Sequence, residues 1–156
     1  KEHLATDFDC GNPLLNEWLI HYAWINQQSN SSKTFAVCKD NRIIAFYSLA
    51  AGSVEHGEVP DRIKKGLAKH SIPVVILARL AVDLSYQKRR IGRFLLRDAL
   101  IRTVNISEQI GVRALLVNAK DEKARSFYQH YGFEASPIDP LILMLLLKDI
   151  KKSIVR

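Results

Sequence analysis

Pro73-Val-Val-Ile-Leu-Ala-Arg-Leu-Ala-Val82, running straight into Asp83-Leu-Ser-Tyr-Gln-Lys-Arg-Arg-Ile-Gly-Arg93, is the stretch from which the rest of this sequence is read. The first half is a nearly continuous apolar run of strand length, the kind found in a sheet covered on both faces. The second half is polar and basic, and it feeds a helical pattern. Apolar residues recur at Ile91, Leu95, Ala99, Leu100 and Val104, and the pattern closes near Gly111. A helix start carries backbone N–H groups without intrahelical partners, together with the positive end of the helix dipole. A basic loop leading into one is therefore a site for phosphate or diphosphate. The spacing is neither that of GxxxxGK followed by Ser or Thr, nor GxGxxG.

Downstream, Arg113–Asn118 reads as another strand. Asp121 then N-caps a helix with Ala124, Phe127, Tyr128 and Tyr131 on one face, ended by Gly132. Pro137 and Pro140 bracket a turn before a last strand, Leu141–Leu147. Upstream, Asn12 is an N-cap with Pro13 at the first helical position, and Leu14, Leu15, Trp18, Leu19 and Tyr22 form an apolar face that ends at the polar stretch Gln27–Ser32. Thr34–Cys38 and Arg42–Ser53 read as paired strands joined at Asp40-Asn41, and Asp61–Lys69 as a short basic helix. The order predicts a mixed α/β domain around one sheet, with no internal repeat.

The chain has 156 residues, 47% of them hydrophobic and 25% charged, which is the composition of a folded chain and not of a disordered one. Its longest apolar run, 141–147, is far short of the roughly 20 residues that span a bilayer, and no basic-then-apolar leader opens it, so no membrane span and no signal peptide are expected. The surplus of 23 Lys and Arg over 16 Asp and Glu, a net charge of +7, permits an anionic partner. Cys10 and Cys38 fit neither a CxxC pattern nor a disulfide framework and are expected as buried thiols in a reducing cytosol. His3, His21, His56, His70 and His130 show no metal-ligand spacing, so no metal is expected, and no GxSxG supports a serine nucleophile.

Several residues read two ways on spacing alone. Tyr128 is either a core aromatic or a catalytic group. Arg79, the only charge on its strand, is either salt-bridged at the rim of the core or aimed into an acceptor cleft, where it would meet a 3′-terminal phosphate. Lys33, Arg42, Lys64, Lys65 and Lys69 are either solvated or part of a basic acceptor surface. Trp18 and Trp24 face different sides of the first helix, one toward the core and the other toward an interface.

Two motifs carry a resemblance. Gln87 to Gly92 after an apolar strand, followed by a Leu-rich helix, a strand and Ala124-Arg-Ser-Phe-Tyr-Gln-His-Tyr-Gly-Phe133, resembles the GNAT (general amine N-acetyltransferase) family. The wider wording, Phe8-Asp-Cys-Gly-Asn12, Leu77-Ala-Arg-Leu-Ala-Val-Asp83, Val117-Asn-Ala-Lys120 and Leu147-Lys-Asp149, is similar to the tRNA-acetylating toxins of bacterial type II toxin–antitoxin pairs. The resemblance implies one GNAT domain over 1–156, a central mixed sheet flanked by about four helices, and acetyl-CoA as cofactor. It implies that the backbone of Leu80, Ala81 and Val82 lines the pantetheine. Gln87 opens the pyrophosphate loop, whose grip comes from Lys88, Arg89, Arg90, Ile91, Gly92 and Arg93. It implies that Asn118, Ala124 and Phe127 lie along the cofactor arm, with Tyr128 near the thioester sulfur; Arg79 and Lys33 are the candidates for contact with the tRNA.

A phenol, with its ordinary pKa near 10, is protonated at neutral pH, which suits Tyr128 as proton donor to the leaving thiolate. The strand Pro73–Val82 holds no acid, which leans toward an α-amine acceptor that is already partly neutral at pH 7; Asp83, Glu55 or a water chain are the candidate bases. The implied partners are an aminoacyl-tRNA substrate, a ribbon-helix-helix antitoxin whose tail wraps the basic face, DNA only through that antitoxin, and a second copy in a homodimer, in the bacterial cytoplasm. The alternatives are acetylation of a small-molecule or protein amine, or an inactive GNAT-fold partner of an antitoxin–DNA complex. One residue departs from the family pattern: Arg90 stands where the loop has glycine. Its Cβ and side chain are expected to reduce or abolish cofactor binding, unless its charge helps to hold the phosphates.

Overall fold

Asn12 caps the first helix through Oδ1, which accepts from the backbone N–H of Leu14 at 3.0 Å and of Leu15 at 3.3 Å. Pro13 takes the first helical position, where a missing N–H costs nothing. The structure, a computed structural model, describes residues 4–154. Helix α1 (Pro13–His21) breaks at Tyr22 and α2 (Ala23–Gln28) resumes, so the one helix expected there is two. Strands β1 (Lys33–Lys39) and β2 (Arg42–Val54) are antiparallel. Asp40 and Asn41 both take positive φ between them, 52° and 65°, as a two-residue hairpin turn requires. Helix α3 (Asp61–Lys64) is shorter than expected and is followed by Gly66 at φ +81°.

Then come β3 (Ile72–Val82), α4 (Ile91–Ser107), β4 (Ala114–Asn118) and α5 (Glu122–His130), with Gly132 at φ +94° just past the end of α5. The short β5 (Glu134–Ala135), β6 (Ile142–Leu146) and α6 (Leu147–Ile154) complete the described chain. The final apolar run hides α6: Leu147 ends the run but begins a helix that buries Ile150. The break at Tyr22 and this last helix bring the α-helices to six among the described residues, against the four or so expected.

The strands are ordered β1-β2-β3-β4-β6-β5 in a mixed sheet. β3 and β4, joined through α4, are parallel from Val74 opposite Ala114 to Leu77 opposite Val117, and β3 runs on to Val82. β6 is antiparallel to both β4 and β5.

Two compact units divide the chain. One runs through Ala50 and takes in Ala78–Ala99; the other comprises Ala51–Leu77 and the chain from Leu100 onward. In the first, Phe8, Cys10, Leu19, Ala23, Phe46 and Ala81 form a core, and the Trp18 ring stacks on Phe46 with centroids 5.9 Å apart. The buried Tyr47 donates its hydroxyl to Asp98 Oδ2 at 2.5 Å, which ties β2 to α4. In the second, the core is Val54, Val59, Ile63, Ile72, Val74, Ala114, Met144 and Leu146. Arg113 closes the end of α3 by donating to the carbonyls of Ile63 at 2.7 Å and Lys65 at 3.0 Å. Arg62 on α3 holds α6 through Asp149. Cys10 is buried as expected but Cys38 is exposed, because it falls in the outward-facing set of the edge strand β1.

Candidate active site

The basic loop is held from below by the N-terminal segment. Asp9 donates its N–H to Asp83 Oδ2 at 3.0 Å, and its carboxylate accepts from Gly11 N at 2.9 Å and Asn16 Nδ2 at 3.0 Å. Asp83 Oδ1 accepts from Ser85 N at 2.9 Å, capping a single 3-10 turn over Leu84–Tyr86. Gln87 Nε2 then donates to the carbonyls of Cys10 at 3.1 Å and Val82 at 2.9 Å. Its side-chain donor is thus spent on the protein, so the structure makes Gln87 a brace for the loop and occupies the carbonyl of Val82. Leu80 and Ala81 precede it on the last part of β3.

Beyond Gln87 the backbone N–H groups of Lys88, Arg89, Arg90, Ile91, Gly92 and Arg93 make no hydrogen bond among the described residues; Phe94 is the first to donate, to Arg90 O at 3.1 Å. Six unbonded donors at the start of a 17-residue helix fit a diphosphate. Lys88 and Arg90 both hold the left-handed backbone that glycine adopts at no cost, φ 64° and 61°. Sequence reasoning looked for this conformation at 90 and missed it at 88. Arg89 lies over the Tyr86 ring at 5.1 Å, and Lys39 over the same ring at 5.8 Å. Tyr86 was not singled out from the sequence, where nothing marks it.

Asp121 Oδ1 accepts from Ala124 N at 2.8 Å, as its N-cap position predicts, so the Ala124 N–H is occupied and only its half-buried side chain is left to contribute. Tyr128 on α5 is 6% exposed, packed edge-on against Phe127 at 5.2 Å and tilted on Phe133 at 5.4 Å. Its hydroxyl has no hydrogen bond among the described residues, yet it is not one of the fully buried, unpartnered polar atoms. Burial pushes its pKa well above the ordinary phenol value, so it is a fully protonated acid at neutral pH. Asn118 is exposed at the last position of β4, opposite Ile142.

Of the two roles expected for Arg79, the salt bridge is not formed among the described residues. Its guanidinium lies 4.0 Å from the Trp18 ring centroid, with no carboxylate partner among the described residues, and burial lowers its pKa. Lys33 Nζ is turned onto its own turn, donating to Asn30 Oδ1 at 2.7 Å and Gln27 O at 3.3 Å. Arg42 pairs with Asp7, and Lys64 lies 3.5 Å from Asp61. Lys65 and Lys69 remain exposed without a side-chain partner among the described residues. Of the candidate bases, Asp83 is committed to two backbone N–H groups, and Glu55 accepts from Ser71 Oγ at 3.2 Å. No cluster of three or more His, Cys, Asp or Glu capable of holding a metal occurs among the described residues; His3 lies outside them.

A helix start with six unbonded amides among cations, beside a mixed sheet, and a protonated phenol elsewhere in the chain suit an acyl-CoA-dependent transferase. The model of the acetyltransferase (GNAT) domain matches residues 30–135, and the chain belongs to the GNAT acetyltransferase family. It is 45% identical to the tRNA-acetylating toxin of Mycobacterium tuberculosis over 94% of this chain and 88% of that protein. Its structure is similar to AtaT complexed with acetyl-methionyl-tRNAfMet, with TM-score 0.91 and 25% identity over 97% of this chain and 92% of that one. A Tyr-to-Phe mutant of AtaT bound to the C-terminus of the antitoxin AtaR and acetyl-CoA matches with TM-score 0.85 and 25% identity, over 100% and 93% of the two chains. No helix among the described residues is long and apolar enough to cross a membrane.

Proposed function

We propose that this acetyltransferase is a toxin that moves the acetyl group of acetyl-CoA onto the α-amine of an aminoacyl-tRNA and so blocks translation. The observation that carries the reading is the loop from Lys88 to Arg93, six unbonded amides among cations, in a chain alike over nearly its whole length to a tRNA-acetylating toxin. When bound, acetyl-CoA supplies an activated thioester. The amides from Lys88 to Arg93 hold its diphosphate, and Gln87 and Asp83 keep them aimed by bracing the loop on Cys10 and Asp9. Leu80 and Ala81 offer backbone to the pantetheine, with Asn118, Ala124 and Phe127 along the arm. Tyr128 keeps a proton at its hydroxyl and would supply it to the leaving thiolate, while the proton that the acceptor nitrogen loses on acylation would pass to water. An α-amine with pKa about 7.7–8.0 is partly neutral at pH 7 and needs no strong base, which suits a chain whose candidate carboxylates are engaged.

We read the chain as one functional domain acting in the bacterial cytoplasm as a homodimer. Its partner is a ribbon-helix-helix antitoxin that binds the basic surface and through which alone it meets DNA. Exposed Leu14 on α1, Trp24 and Ile25 on α2, and Tyr22 at the break between them supply apolar surface for a partner. Incubation with labelled acetyl-CoA and charged tRNA, beside free amino acids, polyamines and lysine peptides, tests the function. Label should appear on the aminoacyl group as a single acetyl mass shift. Label on free amines alone would establish the small-molecule reading instead.

A further inference from the structure

Lys88 and Arg90 sit in backbone that favours glycine, and both carry long cationic side chains there. Arg89 between them is occupied with Tyr86. Lys88 and Arg90 are exposed and make no hydrogen bond, ion pair or ring contact among the described residues. The backbone amides of Lys88–Arg93 already suit a diphosphate, so these two charges are in excess of what that group requires. The side chain of Arg90 stands in solvent and fills no buried cradle, which favours a binding role over an obstructing one. Coenzyme A has one more anionic group than its diphosphate, the 3′-phosphomonoester on its ribose, and a dianionic phosphate is the ligand that a guanidinium matches best.

We propose that Arg90, assisted by Lys88, recognises the 3′-phosphate of coenzyme A and makes the protein selective for it over the 3′-dephospho form. This rests on the loop being the donor site. Isothermal titration of the full chain with coenzyme A and with 3′-dephospho-coenzyme A tests it, on the wild type, Arg90→Gly and Arg90→Asn. Glycine and asparagine both accept the left-handed backbone, so both variants remove the charge without adding backbone strain. The wild type should bind coenzyme A at least about tenfold more tightly than the dephospho form, a single charge-assisted contact's worth. Both variants should lose most of that preference, read as the ratio of the two dissociation constants within each variant. Equal binding of the two ligands by the wild type overturns the proposal and leaves the donor site standing. Tighter binding of both ligands by both variants, with the preference unchanged, also overturns it and makes Arg90 an obstruction. Failure of the wild type to bind either ligand overturns the donor-site reading and this inference with it.

Discussion

Tyr128 combines two properties that an acid in this chemistry needs: a ring wedged between Phe127 and Phe133, and a hydroxyl bonded to nothing among the described residues. Tyr128→Phe keeps the ring and its packing, so thermal unfolding should hardly move, while turnover falls by about 10² to 10⁴, the usual worth of a positioned proton donor. Burial raises the phenol, so the acid form persists as pH rises through 10. The pH–rate profile should therefore climb with deprotonation of the acceptor α-amine near pH 7.7–8.0 and stay high through pH 10, where an unperturbed phenol would already be failing. A profile that falls at pH 9 to 10 would mean another group donates the proton. On spacing alone Tyr128 was indistinguishable from a core aromatic, and it is in fact both buried and free at its oxygen. Gln87 illustrates the opposite case: the motif marks it as part of the loop, but only its reach to Cys10 O, 77 positions away in sequence, shows that its side-chain amide braces the loop.

Elements were legible where a local rule sets them. Asn12 and Asp121 cap, Gly132 terminates, and Asp40-Asn41 turns, each by side-chain or backbone chemistry confined to a few residues. The two elements that went unread, β5 and α6, are a two-residue strand and a helix hidden behind an apolar run, and neighbouring structure decides both. Gly52 on β2 reads as an ordinary strand residue, yet a Cβ there would meet Ile76 Cδ1 and come within 3.1 Å of its Cγ1. Because Ile76 Cδ1 is the free end of a flexible, half-buried side chain that can turn away, Gly52→Ala should cost less than about 1 kcal/mol, measured by denaturant midpoint. Helix α6 is held by Arg62, whose Nη atoms meet Asp149 at 2.5 and 3.1 Å. The Arg62 hydrogen bond lowers the Asp149 pKa, so the pair stabilises above the ordinary carboxylate value of 3.8, and that contribution is lost as pH falls through the lowered value. The stability gap between wild type and Asp149→Asn should be constant at neutral pH and close below 3.8, as followed by thermal melts across the acid range.

For the molecule as a whole, a net charge of +7 permits an anionic partner without saying where it binds. The structure sorts the cations. Arg42, Arg62, Lys64, Arg113 and Lys33 are engaged with the protein itself, while Lys65, Lys69, Lys88, Arg90 and Arg93 have no side-chain partner among the described residues. Binding of charged tRNA should therefore weaken with salt along a straight line in log Kd against log salt concentration. Replacing Lys65 and Lys69 together should make the slope shallower, whereas replacing Arg42 should not, because Asp7 already neutralises it.

What the sequence alone determined is what acts over a few residues: the caps, the periodicity of strands and helices, and a basic loop entering a long helix, together with the motif wording that points to the family. What only the tertiary structure decided is which of those residues have anything left to offer a ligand. The Gln87 side-chain amide is spent on Cys10 and Arg62 on Asp149, while the amides from Lys88 to Arg93 are left unbonded among the described residues. The reason is physical: a donor or a charge is satisfied by whatever the fold brings within about 3 Å, and those partners lie tens of residues away along the chain, where no periodicity reaches.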